Sequence, residues 1–568
     1  MKDTRVSLGR YETGLYFAAW TIGVFYSIYR YNYNLKLINF FCIADFTDYN
    51  PSYEDFSPGW SWIGGKRDTA DVEWATWIPF MFTIFPWTVL QLLVSQILKH
   101  TCNSTILCCW YLSISMLFLW SYVGILGLLC MLIQPCIACL LVSFRSKRIS
   151  CLIHLLSLGV IQLTKTLHVL TQDWLNLDDE KYLMFIIAIC WMQLRSISCS
   201  IDRIDSYKHK TLRGFFVDLL HSAAYCLYLP TLFLGPLILY SEFIDGITRA
   251  PARWNFNRLI KFLLNLLRYL FWLRFTEFSM HFVHLNALQY HPEVVAQLEP
   301  WAFYGFGYCM GQYFLNKYVV VYGIWGEMSR ADDIRAPPHP KCIGRIHLYS
   351  DMWKHFDRGL YNFLIRYIYV PVTRTKIPLA RIVASLMSFA FVFLWHGMQM
   401  FIFIWAFFNF IGLTIEGVAR SIGNTPRYTK FRANYLSPKN SRRFECALAA
   451  PLLAFSAISN FYFFAGTDIG HSFVYRIFHG ISFDAGANTP VYSSNRVHKI
   501  FSLSRFIRGC WNVTFFAVLL LSGIDGGEEL GETTIFRYNK SGGARWRFGE
   551  MRRIKRNVCF TIVHRHHD

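Results

Sequence analysis

The chain has 568 residues, of which 54% are hydrophobic, 18% aromatic and only 16% charged, and its formal net charge is +20. A soluble chain of this length carries about a quarter charged residues, without long apolar blocks. An ordinary soluble multidomain protein is therefore excluded, and an all-α polytopic membrane protein is expected, with the lipid bilayer as solvent for most of the chain.

The basic residues sit beside the apolar blocks, as in Arg145, Lys147 and Arg148, then Lys208 and Lys210. They form no soluble basic face or arm, so nucleic acid is not an expected partner. Their placement suits cytosolic loops under the positive-inside rule, and they can also draw in a phosphate-bearing coenzyme. Topology alone is the simpler account of any one cluster. Arg5, Arg10 and Glu12 precede the first apolar run, which reads as an insertion signal rather than a cleaved leader.

In chain order, Tyr11–Tyr29 is a first aromatic-rich span and Arg30–Val72 a mostly polar surface loop. Trp74–Leu98 has no charged residue and is long enough to cross. Thr105–Phe144 is also uncharged but twice a crossing length, and a split near Ser121–Gly124 gives a hairpin of two helices. Ile149–Leu170 and Tyr182–Ser198 are weaker spans because they contain Lys165 and Arg195. Phe215–Tyr240 carries Pro230 and Gly235-Pro236, which predicts a broken or re-entrant element. Leu259–Leu288 holds Arg268, Arg274 and Glu277, so it is partly interfacial or faces a polar cavity. In Trp301–Ile324, the run Gly305-Phe306-Gly307 is better explained by helix packing than by a dinucleotide loop. Asp351–Val372 reads as one amphipathic interfacial helix. Ile377–Leu413 reads as two helices meeting near His396-Gly397, and Phe444–Phe464 as another span. Together these make roughly ten membrane elements, some of them re-entrant.

The candidate chemistry lies in the last third of that pattern. His396 is an ionisable residue halfway along an apolar run, which marks a functional-site hypothesis; a histidine bonded to a neighbouring carbonyl for packing is the alternative. Asp357 precedes it among aromatic residues. It can serve either as the orienting partner of a histidine base or as a surface ion pair with Arg358 or Lys354. Cys342, outside any clear span, fits a thiolate ligand, a lipidated cysteine or a plain loop thiol. Asn460 lies deep in an apolar span and needs a partner, either across helices or in a substrate channel. No serine-elbow motif occurs, and the cysteines inside the apolar spans, Cys136 and Cys139 among them, have no second ligand pair at the spacing that completes a zinc site.

These residues carry a resemblance. Lys341-Cys342-Ile343-Gly344-Arg345-Ile346-His347, Tyr349-Ser350-Asp351-Met352-Trp353-Lys354, Phe356-Asp357 and Trp395-His396-Gly397, with Asn460, resemble the membrane-bound O-acyltransferases. The resemblance is strongest to the branch that acylates Hedgehog proteins. The resemblance implies a multi-helix fold around a catalytic tunnel, in the endoplasmic reticulum or Golgi membrane. It implies palmitoyl-CoA as acyl donor and the N-terminal cysteine of a secreted Hedgehog precursor as acceptor, joined by an amide as Hedgehog signalling requires. It makes His396 and Asp357 catalytic, Trp353 and Asn460 substrate-channel residues, and Cys342 the ligand of a haem b iron. An O-acyltransferase for a serine of another secreted protein or for a lipid, an inactive membrane regulator, and a channel are the competing classes. The acyltransferase domain is expected over 1–480. A divergent polar and basic region follows over 481–568, with one marginal span near 510–523.

Overall fold

The computed structural model describes residues 8–37, 55–206, 212–342, 348–375 and 377–479, and the C-terminal region expected over 481–568 lies outside them. The described chain is almost wholly helical. Its elements are α1 (Arg10–Leu37), a two-stranded ribbon of β1 (Phe56–Pro58) and β2 (Lys66–Asp68), α2 (Val72–Thr101), α3 (Ser104–Ser143), α4 (Lys147–Thr166), α5 (His168–Leu175), α6 (Asp179–Ser206), α7 (Leu212–Cys226), α8 (Tyr240–Thr248) and α9 (Phe256–Ser279). After these come the short α10 (Leu285–Leu288) and α11 (Pro292–Gln297), then α12 (Pro300–Ala331), α13 (Tyr349–Phe356), α14 (Arg358–Leu364), α15 (Val370–Thr373), α16 (Ala380–His396), α17 (Met400–Gly423), α18 (Pro426–Tyr435) and α19 (Pro438–His479).

Among the described residues, six helices are long and apolar enough to cross a bilayer: α2, α3, α4, α6, α17 and α19. α16 is as apolar but shorter, and α1, α9 and α12 have spanning length with lower hydropathy. The sequence-based total of about ten counted such segments together with the broken ones.

α12 sits at the centre, buried on nearly every face, with α1 on one side and α9 on another. Glycine makes the first of these contacts possible: a Cβ on Gly305 would collide with the Ser27 carbonyl oxygen of α1. Only a residue without a side chain lets the two backbones approach this closely. This is the packing role expected for Gly305-Phe306-Gly307. At its far end α12 closes on Asp332, whose carboxylate accepts from Ser95, from Tyr111 (2.7 Å), from Tyr228 (2.9 Å) and from Lys99 (2.8 Å).

Helix breaks fall where small or imino residues stand. α3 turns at Gly124 (φ +72°), inside the predicted split, and α19 turns at Gly466 (φ +78°). The Phe215–Tyr240 stretch is broken as expected: α7 stops at Cys226, one 3₁₀ turn covers Leu229–Thr231, and an irregular, fully buried segment runs on to α8. Buried backbone outside a helix needs donors for its carbonyls. Arg195 of α6 supplies them. Its guanidinium donates to the carbonyls of Cys226 (3.1 Å), Tyr228 (3.3 Å) and Thr231, and to Thr231 Oγ1 (2.8 Å). The residue that weakens α6 as a span is thus what holds its unwound neighbour.

One element differs from expectation. Asp351–Val372 is not a single interfacial helix but α13, α14, a π-helical turn over Ile365–Tyr369, and α15. The break falls at Asp357, whose side chain caps α14 by accepting from the Leu360 amide (2.9 Å). An N-cap residue has extended backbone, so it cannot also continue α13.

Candidate active site

α16 ends at His396 because Gly397 adopts φ +139°, a conformation that side chains oppose, while its amide closes the last turn on the Phe393 carbonyl (3.1 Å). The long apolar run is therefore interrupted at the histidine, as expected. Three aromatic rings meet the imidazole edge to face: Trp395 (centroids 4.7 Å apart), Phe463 (5.2 Å) and Trp405 (5.7 Å). No described group hydrogen-bonds the ring, so within the described structure its nitrogens are not committed to a packing role. The neighbouring Trp395 is fixed from the other side, since its indole N–H donates to the Cys190 carbonyl of α6 (3.0 Å).

Trp405 of α17 joins three of the candidate residues. Its ring lies against His396 and against Trp353 (5.5 Å), and its indole N–H donates to Asn460 Oδ1 (3.2 Å). Trp353 in turn donates to Asn409 Oδ1 (3.0 Å), and Asn409 Nδ2 donates to the Trp405 carbonyl (2.8 Å), one helical turn back. Asn460 Nδ2 donates to Met352 Sδ (3.6 Å). His396, Trp353 and Asn460, far apart in sequence, thus share one aromatic and amide cluster. α13 is seated on it by Glu416, which accepts from the Ser350 amide (3.0 Å) and hydroxyl (2.6 Å).

Trp405, Asn409 and Glu416 were not picked out by the sequence reading. Asn409 and Glu416 carried a usable signal, since both are polar groups within or close to the Ile377–Leu413 apolar run and each must find a partner there.

Asp357 stands elsewhere. Its carboxylate accepts from the Tyr322 hydroxyl of α12 (2.8 Å) and from the Leu360 amide, and no hydrogen bond or ion pair joins it to His396 among the described residues. The surface ion pair with Arg358 or Lys354 is absent there as well. Between the two candidates runs a file of rings: Phe463 with Phe314 (5.7 Å), Phe314 with Tyr318 (4.9 Å), and Tyr318 with Tyr322 (5.3 Å). Their separation is bridged by aromatic surface rather than by a direct contact.

Cys342 is half-buried against the core and follows Lys341, whose amide bonds the His355 carbonyl (3.1 Å). Deprotonated to a thiolate, its sulfur would be a donor of suitable chemistry for haem iron. The rest of the segment that carried the resemblance there, 343–347, lies outside the described residues. No group of three metal-ligating side chains occurs among the described residues.

A family model for the membrane-bound O-acyltransferases matches residues 106–458, more than half of the chain. The chain is 33% identical over 293 residues to the protein-cysteine N-palmitoyltransferase Rasp of Drosophila melanogaster, covering 51% of this chain and 57% of that protein. It is 27% identical over 426 residues to the protein-cysteine N-palmitoyltransferase HHAT of Mus musculus, covering 73% of this chain and 84% of that protein. An HHAT-like protein of Mus musculus is 25% identical over 404 residues, 69% of this chain and 76% of its own. His396, Asp357, Trp353 and Cys342 all fall inside the family match, and Asn460 lies just beyond it. A multi-pass helical chain with a histidine in an aromatic cage, matched over that extent, belongs to the membrane-bound O-acyltransferase family.

Proposed function

We propose that this chain transfers a palmitoyl group from palmitoyl-CoA to the N-terminal cysteine of a secreted Hedgehog-type signalling protein, within the endoplasmic reticulum membrane. The observation that carries the reading is the shared cluster of His396, Trp405, Trp353 and Asn460. Its support is similarity to two proteins named protein-cysteine N-palmitoyltransferases. In the reaction the thioester C–S bond breaks and an amide C–N bond forms. Coenzyme A leaves as a thiol; of the acceptor ammonium's three protons, one is released to solvent to give the free amine, one passes to the leaving sulfur, and one stays on the amide nitrogen. His396 accepts a proton as the amine attacks and returns it to the leaving sulfur. The surrounding rings exclude water that would hydrolyse the thioester. Trp353 and Asn460 line the channel for the acyl chain. Asp357, anchored on Tyr322, acts on the same substrate from the far end of the aromatic file. The basic loops draw in the coenzyme phosphates.

The deciding experiment is acyl transfer from labelled palmitoyl-CoA in membranes, with acceptor peptides beginning in cysteine, in serine, or in cysteine with a blocked amine. Label that appears on the free-amine cysteine peptide and resists hydroxylamine supports the reading. Label only on the serine peptide points to O-transfer, and no label on any peptide overturns enzyme activity towards protein acceptors.

Haem b at Cys342 enters the same proposal as a bound group of structural or redox character, and no step above runs through it. Purified protein is expected to show a Soret band that Cys342→Ala removes. A wild-type protein without that band leaves Cys342 as a loop thiol.

A further inference from the structure

The C-terminal end of α16 is gripped from outside by α4. Lys165 Nζ donates to the carbonyls of Trp395 (3.1 Å) and His396 (3.3 Å), and Gln162 Nε2 donates to the carbonyl of Leu394. These three consecutive carbonyls belong to the last turn of α16, where a helix leaves its acceptors unpaired. A lysine in the final turn of a spanning helix ordinarily extends its stem towards the water interface. Lys165 instead turns towards the helix that carries the imidazole, and among the described residues it pairs with no carboxylate.

Packing alone does not fix the two helices here. A groove of about 270 Å³, lined by Leu158, Gln162, Leu394 and Met398 among others, opens between α4 and the His396 end of α16. Where side chains leave such a gap, direct polar bonds decide where the helix end sits. Trp395 supplies the opposing hold through its bond to Cys190 of α6.

We propose that Lys165, with Gln162 in support, is a positioning residue for His396: it fixes the helix end so that the imidazole points into the Trp405–Phe463 cage. The proposal rests on the reading of His396 as the proton acceptor. A shift of the helix end would misplace the ring relative to the thioester, and displacements near 1 Å cost up to about a hundredfold in rate.

The test compares Lys165→Met, Lys165→Arg and Gln162→Leu in the full chain, each first shown to elute as a monodisperse peak in detergent. Lys165→Met is expected to lower kcat about tenfold or more while KM for palmitoyl-CoA stays within about twofold, and Lys165→Arg to recover most of the loss. A second readout does not depend on activity: carbethoxylation of His396 by diethyl pyrocarbonate, followed by peptide mass spectrometry. Its rate is expected to change severalfold in Lys165→Met and to return in Lys165→Arg. Should Lys165→Met misfold, Gln162→Leu is expected to shift both readouts in the same direction. Wild-type kcat together with a wild-type modification rate in Lys165→Met overturns the proposal. If His396→Ala itself retains transfer, the catalytic reading fails, and the modification rate still decides whether Lys165 holds the ring.

Discussion

His396→Ala is expected to lower palmitoyl transfer by about 100- to 10,000-fold, the range that a positioned acid–base group contributes. The protein should still fold, since the imidazole has no hydrogen bond among the described residues and fills only an edge of the cage formed by Trp395, Trp405 and Phe463. His396→Gln retains most of the volume and a donor but cannot carry a proton away, so it should be as inactive as the alanine variant. The measurement is single-turnover transfer in detergent, normalised to monodisperse protein. Retained transfer in both variants removes His396 from the chemistry and leaves it a packing residue.

The second large effect falls on stability, away from the histidine. Arg195→Met leaves the carbonyls of Cys226, Tyr228 and Thr231 without their donor in a fully buried segment. Each lost donor costs about 1–3 kcal/mol. The substitution also removes a buried charge together with its own desolvation, so the net loss is set by the carbonyls and should exceed about 3 kcal/mol. Arg195→Lys is expected to restore only part of it, because one ammonium cannot spread over acceptors that a planar guanidinium reaches as a fork. Thermal melts of the purified protein provide the measurement, with limited proteolysis reporting whether residues 227–239 become accessible. A melting temperature unchanged in Arg195→Met would contradict this account.

What the sequence made legible was mostly backbone. Gly124 and Gly397 could be read as breaks because each follows an apolar run of helical length and leaves it by a positive φ. Pro230 and Gly235-Pro236 marked the unwound stretch because neither residue type continues a buried helix. Side-chain partnerships were far less visible. Asp357 was expected beside His396, yet its carboxylate is occupied by Tyr322 and by the start of α14. Nothing in spacing alone distinguishes a capping aspartate from an orienting one. Trp405 was hidden for a different reason: in a chain with 19 tryptophans, one more in an apolar helix carries no signal until its neighbours are known. Arg195 and Lys165 counted against their spans when read one at a time. Both become intelligible once the carbonyls they meet, about 30 and 230 residues further on, are seen across the helix boundary.

The arginine grip on the unwound segment also constrains biogenesis. α6 emerges from the ribosome ahead of residues 226–231, so Arg195 reaches the translocon with no acceptor beside it, at a cost of about 2.5–3.5 kcal/mol for a charge at the centre of a nascent helix. Lateral release of α6 alone is therefore disfavoured, and α6 through α8 should partition into lipid as one unit. Lys165 faces a longer delay, because α16 is synthesised more than 200 residues later. Until then α4 can keep its ammonium at the headgroup level, and it can turn inward only when the histidine-bearing helix arrives.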